Sequence, residues 1–241
     1  MLQKTKGIVL HTIKYSESSI IARVYTEAFG LQSYLIKGAR SRKAALRSSM
    51  FQPLTLLDME VYHRGNSDLQ HIREAGVSEP FHAISSDIRK SSVAIFLAEV
   101  LFRSLKETEA NEELFGFLSH SLHFFDMQEE GIEYFHLYFL IRLSRFLGFL
   151  PQGEPLSDKA YFDLREGKFI AGQAVHPDQV SEAPSLAMWK IMNTSAGELQ
   201  TLSIRRNTRD ELLDALIIYY QIHLSGLGTI KSLEVLREVF R

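Results

Sequence analysis

GIVLHTIKYSESSIIARVYTEAFGLQSYLIK, residues 7–37, decides the fold. Three runs within it, GIVLHTIK, SIIARVYT and LQSYLIK, are rich in Ile, Val, Tyr and Thr, whose branched or aromatic side chains suit a pleated sheet. YSES and TEAFG between them read as turns. Farther along, TLLDMEVYH (55–63) and LQHIREAGV (69–77) flank RGNSD, whose Gly65-Asn66 suits a tight hairpin. Five short strands over residues 6–77 predict a small barrel or sandwich. A five-stranded barrel of this size is an OB-fold, although a strand count alone leaves an SH3-like barrel open.

After Pro80 the period becomes helical. Ser91–Leu105 places Val93, Leu97, Leu101 and Leu105 four apart, and Asn111-Glu112-Glu113 starts another helix with a capping residue and acids in its first turn. Ile132–Leu147 is apolar almost all round, as expected of a helix buried among others, and Gly148 and Pro151 end it. Residues 152–182 are irregular, with a hairpin YFDLREGKFI turning at Glu166-Gly167. Helices resume over 184–193, 208–224 and 230–240, the second opened by Thr208 and Glu211 as a capping box. The expected class is α+β: a β domain, residues 1–79, then a helical domain, residues 80–241, with residues 152–182 as an insertion.

Composition narrows the function. With 45% hydrophobic and 23% charged residues the 241-residue chain reads as a soluble globular protein, and with no cysteine it holds neither disulfides nor thiolate metal sites. His11 and Lys14 interrupt the N-terminal apolar run, so neither a signal peptide nor a membrane anchor is expected, and the location expected is cytoplasmic. Formal net charge is -2, yet residues 1–80 carry 11 Lys and Arg against 7 Asp and Glu. From Ala28 to Leu57 there is no acid at all. LIKGARSRKAALRSSMFQP, residues 35–53, holds Lys37, Arg40, Arg42, Lys43 and Arg47. If helical, it aligns Arg40, Lys43 and Arg47 on one face; if a loop, it still clusters them. A solvated surface loop is the plain reading, and a polyanion-binding ridge beside a barrel is the functional one. Lys14 and Arg23 add charge to such a ridge, and Tyr25 and Tyr34 are candidate platforms for bases, or else ordinary barrel packing.

No residue set suggests catalysis. The chain has no GxSxG nucleophile and no carboxylate pair spaced for acid and base roles, and GLGTIKS (226–232) lacks phosphate-loop spacing and follows a helix. His120 and His123, spaced i and i+3, lack the Glu and third ligand of a zinc helix. A non-enzymatic binding protein without cofactor or metal is expected. The rivals are a protein-interaction scaffold, whose basic barrel binds an acidic protein, and a nuclease, which needs a carboxylate cluster for metal ions. Arg142 and Arg145 within the apolar helix require anionic partners, either Glu99 or Glu133 internally or the carboxylate end of a partner peptide.

GIVLHTIKYSESSIIARVYTEAFG, LIKGARSRK, FQPLTLLDMEV, LAEVLFRSLKETEANEELFGFL and FHLYFLIRLSRFLGFLP occur in an order that resembles the bacterial RecO family, and GLGTIKSLEVLREVF resembles the tail of a subset of it. The resemblance implies an N-terminal OB-fold and a helical domain. It further implies binding of single- and double-stranded DNA, strand annealing, engagement of single-strand-binding protein, and partnership with RecR to load the RecA recombinase, at the nucleoid. The acidic, apolar tail of single-strand-binding protein is then the peptide for Arg142 or Arg145. Many family members carry a four-cysteine zinc module after the FLP segment; here the stretch reads LSDKAYFDLREGKFIAGQAVHPDQ. Asp158, Asp163, His176 and Asp178 are the remaining donors, irregularly spaced, so a metal-free hairpin held by Tyr161, Phe162 and Phe169 is expected.

Overall fold

A computed structural model describes residues 1–41, 46–65, 67–157 and 159–240. In chain order it contains β1 (Leu2–Lys14), β2 (Ile20–Thr26), β3 (Gly30–Ile36), β4 (Leu56–Tyr62), β5 (Gln70–Val77), α1 (Ala83–Ser86), α2 (Ile88–Ser104), α3 (Glu112–Met127), α4 (Ile132–Phe146), β6 (Tyr161–Asp163), β7 (Lys168–Ile170), β8 (Gln179–Val180), α5 (Glu182–Met192), α6 (Arg206–His223) and α7 (Ser232–Val239). Two compact units result, Met1–Asp126 with Ile230–Val239, and Met127–Thr229 with Phe240.

The first five strands close a barrel in the order β1-β2-β3-β5-β4. All neighbours are antiparallel except β3 and β5, which meet in parallel at Tyr34–Gln70 and Leu35–His71. This order is OB-like and resolves the alternative that strand count left open. β1 serves two neighbours: Leu2–Ile8 pairs with β4 and Gly7–Lys14 with β2, with an irregularity between Val9 and His11 that bends the strand as closure requires. Gly7 sits at that shared stretch, where a Cβ would lie 2.5 Å from Met59 Cε and 2.6 Å from Val24 Cγ1. Val9, Ala22, Val24, Tyr34, Phe51, Leu57 and Val61 fill the interior. The β4–β5 connection is longer than a tight turn: the Gln70 side chain, 1% exposed, accepts from the Arg64 amide and donates to the Arg64 and Ser67 carbonyls. Asn66 lies outside the described residues.

Helices α1 to α3 and α7 belong to the barrel's unit. Asp87 caps α2 by accepting from the Arg89 amide, and the Asn111 side chain accepts from the Leu114 amide at the start of α3. GLGTIKS does end α6, with Gly226 and Gly228 at positive φ, and it also starts α7. There the Glu99 carboxylate of α2 accepts from the Lys231 and Ser232 amides at 3.1 and 2.8 Å, taking the place an anion would need.

In the second unit β6, β7 and β8 form a small sheet in the order β7-β6-β8. Phe162 anchors it, with ring centroids 5.0 Å from Phe169 and 5.7 Å from Tyr219, while the Tyr161 hydroxyl donates to Glu182 at 3.1 Å. Gly167 turns the hairpin at φ 66°, and a Cβ there would approach the Tyr219 hydroxyl to 2.7 Å. Helix α6 departs from the expected capping box. It begins at Arg206, so Thr208 is already inside the first turn, and the box forms instead at Ser195 and Glu198.

Candidate nucleic-acid interface

The β1–β2 and β2–β3 registers set Lys14, Ile20 and Ile36 side by side, so Lys14 and Lys37 leave the barrel at one end. Gly38 turns the chain at φ 68° and Ala39, 2% exposed, plugs into the core. The Ala39 carbonyl accepts from the Ser48 amide at 2.9 Å, closing the neck of the basic segment. Arg40 ties that segment to the β1–β2 loop, its amide donating to the Ser18 carbonyl and its Nη1 to the Glu17 carbonyl, each at 3.1 Å. These bonds use carbonyls and leave the charge uncompensated. Lys14, Lys37, Arg40 and Arg47 are exposed, and among the described residues none of them forms an ion pair. Arg42 and Lys43 lie outside the described residues, as does the middle of the helical face expected through Arg40, Lys43 and Arg47.

Three expected site residues are not on this surface. Tyr34 is 0% exposed within the barrel core, where burial pushes its hydroxyl pKa far up, so it cannot stack on a base. Tyr25, 2% exposed, lies against Phe115 of α3 with centroids 6.5 Å apart, and burial first, then the Glu107 charge, pushes its hydroxyl up to about 12. Arg23 is half-buried, its Nη1 donating to Ser33 Oγ at 2.7 Å, and burial lowers its pKa. Beside it His11 stacks on Phe102 of α2 at 4.5 Å. The Leu31 amide donates to the Glu107 carbonyl at 2.9 Å, and a Cβ on Gly30 would lie 2.4 Å from the Glu109 carbonyl oxygen. The outer β2–β3 wall, along which many OB-folds carry oligonucleotides, is therefore covered in part, by Phe115 of α3 at Tyr25 and by the α2–α3 connection at Gly30 and Leu31. An exposed aromatic at the basic end is Tyr15, 60% exposed in the YSES turn, a position that strand and charge patterns do not single out.

A different wall of the barrel pairs its charges. Glu60 of β4 takes Lys4 of β1 at 3.6 Å and Arg73 of β5 at 3.2 Å.

In the second unit, among the described residues, neither helical arginine pairs with the internal carboxylate expected for it. Arg142 is half-buried, but Nη2 donates to the Met192 and Thr194 carbonyls at 3.2 and 3.3 Å, capping the C-terminus of α5, and its guanidinium lies over Tyr138. Arg145 is exposed, so α4 is not buried all round. Glu99 is occupied by Arg103 and by α7. Arg142 is thereby committed to structure, and of the pair only Arg145 faces solvent.

Where a zinc module would lie, Asp163 holds His176 at 3.2 Å and Asp178 holds Arg165 at 2.6 Å, while Asp158 lies outside the described residues. Among the described residues no group of three His, Asp or Glu is placed to hold a metal ion. His123 contacts Glu79 and the Phe81 ring, and His120 is exposed. No described helix is long and apolar enough to cross a membrane.

The sequence matches the family model described as recombination protein O N terminal over residues 1–81 and that described as recombination protein O C terminal over residues 85–234. It is 39% identical over 242 residues to a DNA repair protein RecO of Phocaeicola vulgatus and 38% identical over 241 residues to one of Bacteroides fragilis, covering 100% of both chains in each comparison. A Flavobacterium psychrophilum relative of the same name is 37% identical over 238 residues, 98% of either chain.

Proposed function

Because the chain belongs to the recombination protein O family, whose members are DNA repair and recombination proteins, we propose that the basic end of its barrel is a phosphate-binding surface for single- and double-stranded DNA. The observation that carries the reading is the set Lys14, Lys37, Arg40 and Arg47: four exposed cations at one barrel end, without an ion pair among the described residues. Each phosphate they neutralise releases condensed counterions, so binding is salt-sensitive and tolerant of sequence. Strands held by their backbones keep their bases free, which favours annealing of complements. With four single-strand contacts the log-log salt slope is about -2.8, from about 0.7 per contact.

The test is a titration of labelled oligonucleotide against the purified chain over a range of salt, with an annealing assay beside it. A slope near zero, or no binding near physiological salt, would favour the scaffold reading, in which the basic end meets an acidic protein. RecR and single-strand-binding protein, and through them RecA, complete the proposed recombinase-loading role. Arg145, the solvent-facing cation of α4, is the residue assigned to a partner's carboxylate terminus. Capture of an acidic C-terminal peptide by the parent protein and not by Arg145→Glu is the expected result.

A further inference from the structure

We infer that Tyr15 is a base-stacking residue that makes the basic end of the barrel prefer unpaired strands to duplex; the inference rests on the DNA-binding reading above. Four tyrosines belong to the barrel strands and their loops. Tyr25 and Tyr34 are buried. Tyr62 is 47% exposed but ends β4, on the wall where Lys4 and Arg73 share the Glu60 carboxylate. Tyr15 is 60% exposed and follows Lys14 directly, in the loop that Arg40 binds through the Glu17 and Ser18 carbonyls.

Its surroundings suit a platform. The loop is pinned by the Tyr15 and Ser16 amides donating to the Ser19 carbonyl at 3.0 and 3.2 Å, and by the Ser19 amide donating to Ser16 Oγ at 3.2 Å. Ser19 itself is 9% exposed, so the loop is anchored at its base. A side chain with two torsions on a pinned loop is ordered on binding at low entropic cost. Ile13, 48% exposed, is two residues before Tyr15 near the end of β1 and adds a second exposed apolar side chain at this end of the barrel. Among the described residues the Tyr15 ring stacks on no other aromatic ring and its hydroxyl makes no hydrogen bond. A flat apolar face between phosphate-binding cations matches the alternation of base and phosphate along a single strand. Paired bases in a duplex have their faces hidden, so the ring adds nothing there.

The experiment compares Tyr15→Ala and Tyr15→Phe with the parent, on a thymine oligomer and on a duplex of equal length, each over a range of salt. Tyr15→Ala is expected to weaken single-strand binding roughly tenfold with the salt slope unchanged. Tyr15→Phe is expected to restore parent affinity, and duplex binding to be the same in all three. Tyr15→Trp combined with Trp189→Phe adds a direct reading, with indole fluorescence at position 15 quenched by the single strand and not by duplex. Unchanged single-strand affinity in Tyr15→Ala, or equal losses on strand and duplex, would overturn the assignment. Charge-neutralised Lys37, Arg40 and Arg47 run in parallel separates the two levels. Loss in that variant with none in Tyr15→Ala overturns Tyr15 alone, and loss in neither overturns the DNA-binding reading with it.

Discussion

Two surfaces of one barrel use the same residue types to opposite ends. On the β1–β4–β5 wall Lys4 and Arg73 share the Glu60 carboxylate, and Asp58 and Glu74 line the same surface, so acids stand among the cations and offset their field. At the end where β1 meets β2 and β3 ends, Lys14, Lys37, Arg40 and Arg47 face solvent, and among the described residues none has such a partner. Arg40 is even positioned by carbonyl oxygens, which fix a guanidinium without neutralising it. A count of cations does not separate these surfaces; the location of the carboxylates does. Paired charges at a surface contribute at most about 1 kcal/mol and little field, whereas unpaired ones condense polyanions.

The largest expected effect comes from silencing the unpaired end. With Lys37→Gln, Arg40→Gln and Arg47→Gln combined, about 2.1 is lost from the salt slope. Between 50 and 200 mM salt the parent should then lose roughly 50-fold in single-strand affinity and the variant only roughly threefold. Equal losses would break the contrast.

A half-buried cation should behave as neither surface does. Arg23→Ala removes the bond to Ser33 Oγ, itself 9% exposed, and is expected to lower unfolding free energy by about 1–2 kcal/mol in denaturant titration while leaving the salt slope alone.

Unpairing the other wall sharpens the comparison. Glu60→Gln frees Lys4 and Arg73, and low-salt affinity for any polyanion should rise roughly twofold to threefold, at a stability cost under about 1 kcal/mol measured by the same unfolding titration. The smallest effect belongs to Lys4→Gln with Arg73→Gln, where the cations removed already share the Glu60 carboxylate: oligonucleotide affinity should change by less than about twofold. A loss as large as that of the basic-end variant would mean that DNA runs along the strands after all.

The strands were legible because alternation and branched residues are local signals. SIIARVYT and LQSYLIK fall on β2 and β3 almost to the residue. β1 extends N-terminal to its apolar run, because Gln3–Lys6 alternates polar and charged residues and is held as strand by its pairing with β4, half the barrel away in sequence. Thr208 misled for a related reason: a capping motif names two residues, and the chain before Arg206 decides where the helix starts.

The site divided along the same line. Lys14, Lys37, Arg40 and Arg47 were legible as charge, since a window without acids is visible in one dimension. Strand alternation tells which residues share a face but not whether a helix covers that face, which is why Arg23 and Tyr25 are not on the open surface; Tyr34 points into the barrel, so of its two readings the packing one holds. Tyr15 was overlooked for the converse reason, since a turn residue acquires meaning only from what its loop lies beside.

By itself the sequence determined the barrel's strands, the helical run after Pro80 and the cationic window, all of which depend on neighbours within a few residues. Only the tertiary structure decided which cations stay unpaired, which aromatics are exposed, and that α2 and α3 cover the wall beside β2. Charge compensation and burial are set by groups far apart in the chain, and chain folding alone brings them within a few ångströms.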